Sequence, residues 1–166
     1  MRAAVYAGTF DPITRGHLSV AERAAVLFDE VIVLLAVNPQ KRRLFSDDER
    51  GAMAEDSVKH LPNVRVDLTA GYVVHYAREA GARFLIRGVR SATDMESEIA
   101  LAHANLAIAP TIETVFVAAR PDLASVSSSR LKALAEGGEP IDAYCTPLVA
   151  QHLRRRLEEK GNHVGL

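Results

Sequence analysis

Seven consecutive apolar residues, Val31 to Val37 (VIVLLAV), constrain the fold more strongly than any other part of this 166-residue chain. The run is rich in β-branched residues and does not alternate with polar ones, which is typical of a strand covered on both faces. Such strands occur in parallel sheets, whose crossover connections are helices that pack on the two faces. We therefore expect strands and helices to alternate along the chain.

The rest of the sequence fits this alternation. Further short apolar segments predict strands at 3–6, 64–68, 84–86 and 114–117. Amphipathic stretches predict helices at 16–28, 46–59, 73–80, 93–108, 127–135 and 147–160, and Ser46–Glu49 and Thr93–Glu96 have capping-box spacing. The predicted fold class is α/β: a five-stranded parallel sheet with helices on both faces, in a Rossmann-like dinucleotide-binding arrangement. A single domain is expected over residues 1–160, with a frayed tail at 161–166.

Composition excludes several classes of protein. The formal net charge of −1 argues against a surface built to hold nucleic acid. Cys145 is the only cysteine, so no intramolecular disulfide can form, and an inert small residue near the start of a helix is favoured over a catalytic thiol. No apolar run is long enough to cross a membrane, and a cytoplasmic location is expected. The histidines outside the first loop have no metal-ligand spacing, so no protein-bound metal site is expected.

The first loop of the predicted sheet, GTFDPITRGH at residues 8–17, carries features of a phosphate site. Gly8 permits a tight turn, and Thr9 offers a hydroxyl and an N–H group. Gly16 and His17 fall at a helix N-terminus, where free N–H groups and the helix dipole favour an anion. A glycine-rich turn with a capping histidine would be the better interpretation of an isolated Gly-His pair, whereas the whole run favours phosphate binding.

Three further loops are expected at the same carboxyl edge of the sheet, where ligands bind in open α/β folds. Lys41-Arg42-Arg43 is by itself most typical of a solvated loop. Arg87 and Arg90 flank a glycine and are favoured as phosphate ligands, because a guanidinium binds phosphate through two N–H groups. The hydroxyl-rich run at 125–129 fits a helix cap and a phosphate contact equally well. Asp94 and Glu98 can share a helix face, either as functional carboxylates or as solvated charges.

Taken together, these segments resemble the bacterial phosphopantetheine adenylyltransferases. The first loop ends in T-x-G-H, which resembles the signature of the nucleotidylyltransferase superfamily. NPQKRRLFS around Lys41, IRGVR at 86–90, the D-x-E-x-E-x-x-LAH-x-N run at 94–105 and VSSS at 126–129 follow in the order of that family. The similarity covers nearly the whole chain.

The resemblance implies a role for individual residues. Catalytic roles fall on His17, Lys41 and Arg90. Contacts to phosphopantetheine fall on Thr9, Lys41, Val73 and Arg87. Contacts to ATP fall on Thr9, Phe10, His17, Gly88, Val89, Arg90, Glu98, Leu123, Ala124, Ser125, Val126, Ser127, Ser128 and Ser129. The sequence departs from the family's usual residues at Ala7, His75, Ala104, Leu106 and the plain Leu123–Ser125 segment, none of which is an implied phosphate ligand.

The reaction that the resemblance implies is direct transfer of the adenylyl group of ATP to 4'-phosphopantetheine, with Mg²⁺ screening the phosphates. It also implies a homohexamer and feedback inhibition by CoA, with neither nucleic acid nor a membrane as partner. Two alternatives stay open: a sister transferase that uses nicotinamide mononucleotide, and a nucleotide sensor that has lost turnover. A nucleic-acid-binding module is the weakest alternative, because the cations lie at loop ends without interleaved aromatic residues.

Overall fold

The protein is described by a computed structural model that covers residues 1–37 and 42–162, with side chains as far as residue 159. Strands and helices follow one another in the predicted order. The strands are β1 (Ala3–Gly8), β2 (Glu30–Ala36), β3 (Val64–Thr69), β4 (Phe84–Val89) and β5 (Glu113–Ala118). The helices are α1 (Arg15–Leu27), α2 (Asp47–Val58), α3 (Val73–Glu79), α4 (Ala92–Ile108), α5 (Ser128–Glu136) and α6 (Pro147–Asn162).

The five strands form one parallel sheet in the order β3-β2-β1-β4-β5. Strand β1 lies at the centre, where Ala4 pairs with Val31 of β2 on one side and with Phe84 of β4 on the other. Residues 31–35 of β2 are fully buried, as the uninterrupted apolar run predicted. The predicted parallel sheet is therefore confirmed.

Two hydrophobic cores cover the two faces of the sheet. The larger core packs α1, α2, α5 and α6 against alternate residues of the strands, including Ala4, Tyr6 and Val33. The smaller core packs α3 against the opposite set, including Val5 and Ile32. Alternation of side chains along a strand explains why neighbouring residues belong to different cores. The prediction of helices on both faces is confirmed.

Helix α4 differs from the other helices because none of its side chains is buried. It lies against β4 and β5. Four large apolar side chains on it are 39–52% exposed: Ile99, Leu101, Leu106 and Ile108. An apolar helix with this much exposed surface is typical of a contact face between protein chains.

The structure corrects the predicted boundaries of β4. The sequence predicted a strand that stops at Ile86, with Arg87 and Gly88 in a loop. The strand instead continues to Val89, because residues 87–89 pair in register with residues 116–118 of β5. Arg87 therefore projects from a strand, which fixes its main chain more firmly than a loop would.

The two predicted capping boxes had different outcomes. Ser46 and Glu49 form theirs, with the Ser46 hydroxyl accepting the Glu49 N–H at 3.2 Å and the Glu49 carboxylate accepting the Ser46 N–H at 2.8 Å. The Thr93 cap was wrong. Ser91 caps α4 instead, because β4 runs to Val89 and the chain enters the helix directly after it.

The C-terminal boundary also differs from the prediction. Helix α6 extends to Asn162, two residues beyond the predicted end at 160, and residues 163–166 lie outside the described part of the chain. Among residues 1–37 and 42–162, no helix is both long and apolar enough to cross a membrane.

Candidate active site

A cavity of about 310 Å³ opens at the carboxyl ends of β1 and β4. It lies between the N-termini of α1 and α5 and the first turns of α4. Its position agrees with the expectation for ligand sites in open parallel sheets. The predicted site residues that line it are Phe10, His17, Arg87, Gly88, Arg90, Glu98, Leu123, Val126, Ser127, Ser128 and Ser129.

The N-terminus of α1 orients the imidazole of His17. Thr14 is the N-cap, and its hydroxyl accepts the N–H of His17 at 3.4 Å. In return, Nδ1 of His17 accepts the main-chain N–H of Thr14 at 3.1 Å. Since a main-chain N–H can only donate, Nδ1 must be unprotonated in the neutral ring, and the proton resides on Nε2. His17 therefore offers the cavity a fixed N–H donor.

The same imidazole is neutral at physiological pH. Burial, and to a smaller extent the charge of Arg90, lower the pKa of His17 to about 4. A neutral ring that donates through Nε2 can stabilise negative charge on a phosphoryl group without transferring a proton.

Aromatic packing holds the His17 ring from the side of the first loop. The Phe10 ring is perpendicular to the His17 ring, with 5.1 Å between centroids, and it also packs against the Tyr6 ring, with 5.4 Å between centroids. Phe10 is 2% exposed and has a φ of 45°, which is rare for a bulky residue. A Cβ on Gly8 would lie 2.8 Å from the Phe10 ring, so this packing requires glycine.

Arg87 and Glu98 form an ion pair on the cavity wall. Nε and Nη2 of Arg87 donate to the two carboxylate oxygens of Glu98 at 2.5 and 2.7 Å, and Nη1 donates to the Ala7 carbonyl at 3.1 Å. The hydrogen bonds that Arg87 donates to Glu98 raise the pKa of Arg87. The two residues come from β4 and α4 and are both largely shielded from solvent. Glu98 is thus paired with Arg87, although the resemblance assigned Glu98 to ATP and Arg87 to phosphopantetheine.

Arg90 and Asp94 form a second arginine–carboxylate pair at the start of α4. The Asp94 carboxylate accepts the Arg90 main-chain N–H at 3.0 Å and lies 3.5 Å from its Nε. Asp94 and Glu98 therefore share a cavity-facing side of the helix, but each faces an arginine. Among the described residues, no group of acidic, histidine or cysteine side chains could hold a metal ion.

The serine run contributes both to capping and to the cavity wall. Ser127 is the N-cap of α5, and its hydroxyl accepts the Arg130 N–H at 3.1 Å. Ser128 donates its hydroxyl to the Pro12 carbonyl at 2.8 Å, which ties α5 to the first loop. The N-termini of α1 and α5 thus meet at one cavity, which is a favourable arrangement for an anion.

A second cavity of about 180 Å³ lies beyond Arg87. Arg87 and Ala7 belong to the walls of both cavities. The remaining wall is mostly apolar, with Asn105 as a polar exception; it comprises Val5, Tyr72, Val73, Val74, Leu85, Ile86 and Leu101. Val73, which the sequence grouped with Arg87, is therefore next to it in space but outside the first cavity.

Several predicted residues do not line the first cavity. The carbonyl of Thr9 accepts a hydrogen bond from the Arg50 side chain. Val89 is buried, and Ala124 and Ser125 lie in the turn beside the cavity. Lys41 lies outside the described residues.

Other contributors were missed at the level of sequence. Tyr6 lines the cavity from β1, and burial raises the pKa of its phenol. Its position two residues before Gly8, on the face opposite Val5, was the available signal. Gly16 was noted for its place at the helix start, but the structure adds that a Cβ there would lie 3.1 Å from the Val126 carbonyl.

Cys145 is buried, and burial raises the pKa of its thiol to about 11. The thiol is therefore inert, as the sequence predicted.

Comparison with known proteins bears directly on this site. Residues 5–134 match the family model described as Cytidylyltransferase-like. A phosphopantetheine adenylyltransferase from Synechococcus sp. (strain JA-3-3Ab) is 48% identical over 93% of this chain and 97% of the relative. A second one, from Heliobacterium modesticaldum, is 44% identical over 99% of this chain and 96% of the relative. The chain belongs to the phosphopantetheine adenylyltransferase family.

The solved structures agree with this membership at the level of fold. A putative nicotinate-nucleotide adenylyltransferase from Vibrio parahaemolyticus has a TM-score of 0.70, with 20% sequence identity and 95% coverage of both chains. At that identity the likeness shows the fold alone. Membership in the phosphopantetheine adenylyltransferase family makes the chain a nucleotidyltransferase, and it settles the resemblance that the motifs indicated.

Proposed function

We propose that this adenylyltransferase transfers the adenylyl group of ATP to 4'-phosphopantetheine by direct in-line displacement, in the biosynthesis of coenzyme A. An oxygen of the phosphopantetheine phosphate forms a bond to the α-phosphorus. The bond between that phosphorus and the oxygen bridging to the β-phosphate breaks, and pyrophosphate leaves with both electrons. The products are 3'-dephospho-CoA and pyrophosphate. Since the attacking phosphate is already an anion, the reaction needs no general base.

The observation that carries this proposal is the neutral His17 in the cavity where the N-termini of α1 and α5 meet. Its Nε2 proton is fixed by the Thr14 hydrogen bond to Nδ1. In the proposed reaction it donates to the phosphoryl oxygens as charge builds in the transition state, and Arg90 supplies a positive charge nearby. A donor that is already oriented does not have to reorganise during the reaction. The absence of this reorganisation cost accounts for most of the rate enhancement in sites of this kind.

The two adjoining cavities suit the two substrates. The first has two helix N-termini and two arginines, which match the triphosphate of ATP. The second is mostly apolar, with the amide of Asn105 and the aromatic ring of Tyr72 on its wall, and it matches the pantetheine arm, which combines amide and methyl groups. Arg87 stands between them, where the acceptor phosphate must meet the nucleotide. Thr9 and Lys41 complete the proposed acceptor site.

Magnesium enters the proposal as part of the nucleotide substrate. The carboxylates on the cavity wall, Asp94 and Glu98, are each paired with an arginine, so they do not suit a protein-bound metal. MgATP is therefore the proposed co-substrate, with the ion held by the phosphates of the nucleotide.

The proposed assembly is a homohexamer, as the resemblance implied, and the exposed apolar side chains of α4 support self-association. Feedback inhibition by CoA is also proposed, because CoA contains both the pantetheine arm and an adenosine phosphate and would occupy both cavities. A cytoplasmic location belongs to the same proposal, since both substrates are intracellular metabolites.

Pyrophosphate release tests the proposal. The assay offers MgATP with either 4'-phosphopantetheine or nicotinamide mononucleotide as acceptor. We expect release with phosphopantetheine alone. Release of pyrophosphate with only the mononucleotide would refute the proposed acceptor. If folded protein binds ATP but releases no pyrophosphate with either acceptor, the alternative of a nucleotide sensor without turnover would be favoured.

A further inference from the structure

Two charged residues near the first loop are buried, yet the proposed reaction does not use them. Asp11 is 5% exposed and Arg50 is 0% exposed. Neither lines the first cavity. Charged groups are costly to bury unless they are paired and hydrogen-bonded, so these two buried charges, each with its own partners, call for a structural explanation.

The carboxylate of Asp11 joins three segments of the chain. It accepts the N–H groups of Leu44 and Phe45 at 2.9 and 3.0 Å, in the segment between β2 and α2. It also pairs with the ammonium group of Lys132 on α5 at 3.0 Å. Burial alone would raise the pKa of Asp11, but the Leu44 N–H, Lys132 and the Phe45 N–H together hold that pKa below its ordinary value.

Arg50 holds the same loop two residues earlier. Its Nη1 donates to the carbonyl of Thr9, and its Nη2 donates to the Asp47 carboxylate at 2.5 Å. The Asp47 carboxylate also accepts from Arg43 at 2.7 Å, which connects this group to the segment that follows residue 41. Arg50 of α2 thus holds Thr9, and Lys132 of α5 holds Asp11, which are the residues on either side of Phe10.

Phe10 is the residue that needs to be held. Its φ of 45° is an unfavourable conformation for an aromatic residue, and such conformations persist only where the surroundings impose them. The conformation places the Phe10 ring against the imidazole of His17. Release of the loop would let Phe10 relax, and His17 would lose the ring that packs against it.

We propose that Asp11, paired with Lys132, and Arg50 are positioning residues that hold the first loop in this conformation and thereby fix the His17 imidazole for adenylyl transfer. The inference rests on the proposed function only for its effect on turnover. Its effect on the orientation of His17 exists in the unliganded protein.

The kinetic test compares Lys132→Met, Lys132→Arg and Asp11→Asn with the wild-type protein. Lys59→Met is the matched control, because Lys59 also pairs with an aspartate, Asp56, but on an exposed surface. We expect Lys132→Met and Asp11→Asn to lower kcat about 10- to 100-fold, since small displacements of catalytic groups are costly, with KM for ATP changed by less than about threefold. Lys132→Arg should recover most of the lost kcat, and Lys59→Met should match the wild type.

The second readout is the Cε1–H resonance of His17 in the unliganded protein, assigned with His17→Gln. We expect it to shift or broaden in Lys132→Met and Asp11→Asn, and to stay unchanged in Lys59→Met. The inference would be overturned by a wild-type kcat in Lys132→Met, or by equal losses of kcat in Lys132→Met and Lys132→Arg. It would also be overturned if kcat fell while the His17 resonance stayed unchanged. Wild-type protein without turnover of phosphopantetheine would refute the proposed function instead, and the resonance would still decide the positioning role.

Discussion

The tautomer and charge of His17 lead to a prediction with a defined magnitude. At pH 7 a group with a pKa of about 4 is protonated in only about one molecule in a thousand. The neutral ring is therefore the form available to the proposed reaction, and it offers one oriented N–H group. Loss of one preorganised donor to a developing charge costs about 2.7–4 kcal/mol, or about 100- to 1000-fold in kcat. We expect that loss for His17→Ala, with KM for ATP changed by less than about threefold.

His17→Gln separates donation from other roles of the ring, because its amide nitrogen can approach the position of Nε2. We expect this variant to retain more turnover than His17→Ala. The assay is pyrophosphate release at saturating substrates over about pH 6 to 8.5. Since the acceptor phosphate itself titrates near about pH 6, the informative quantity is the ratio of the wild-type and His17→Gln kcat values.

A neutral donor predicts that this ratio is constant across the range. A ratio that falls as the pH rises through about 6.5 would mean that the wild type needs a protonated imidazole, and the argument from burial would be wrong. A loss of ATP affinity with unchanged kcat for His17→Ala would also refute it, because the ring would then bind the ground state as strongly as the transition state.

Three further predictions follow from other contacts. Because the folded-state pKa of His17 lies below the ordinary 6.5, the unfolded chain binds more protons than the folded chain between about pH 4 and 6.5. Lowering the pH through that window should therefore lower the free energy of unfolding by at most about 3 kcal/mol, measured as a fall in melting temperature, and the fall should be smaller in His17→Gln. Glu98→Gln should tighten binding of phosphopantetheine about fivefold in calorimetry, because Glu98 would no longer compete with the acceptor phosphate for Arg87. Glu96→Gln, on the exposed side of α4, should leave that affinity unchanged. If the proposed homohexamer forms through α4, Ile108→Glu should lower the mass measured by light scattering, whereas Leu27→Glu, equally exposed on α1, should leave that mass unchanged.

The sheet could be predicted because its strands are encoded locally. The apolar run of β2 needs both faces covered, and this requirement leads directly to a parallel sheet with helices on each side. The end of β4 was missed for the opposite reason. Arg87 and Gly88 have the composition of a loop, and only their pairing with Phe116 and Val117 of β5 shows that the strand continues. Arg87 and Gly88 both lie on the wall of the first cavity.

The residues around the first loop show where sequence reasoning stops. The motif at 8–17 identified His17, whose partner Thr14 is three residues away. Arg50 and Lys132 gave no local signal, because their partners Thr9 and Asp11 are 41 and 121 residues away in sequence. A charged residue in an amphipathic helix is normally interpreted as solvated, and only the fold shows that Arg50 is buried. Long-range pairing of charges is therefore what the structure adds to the site.

The Glu98→Gln prediction depends on the place of Arg87 between the two cavities. Its Nε and Nη2 are both engaged by Glu98, so an acceptor phosphate can use the Nε–Nη2 side of the guanidinium only by displacing a carboxylate. Displacement leaves a largely shielded carboxylate without its partner, which is unfavourable unless another donor replaces the guanidinium. The hydroxyl and amino groups of adenosine are such donors, and the resemblance assigned Glu98 to the nucleotide and Arg87 to the acceptor. An ion pair that separates when both substrates are present would make the two assignments compatible, and removing the carboxylate charge is the direct way to see whether the two compete.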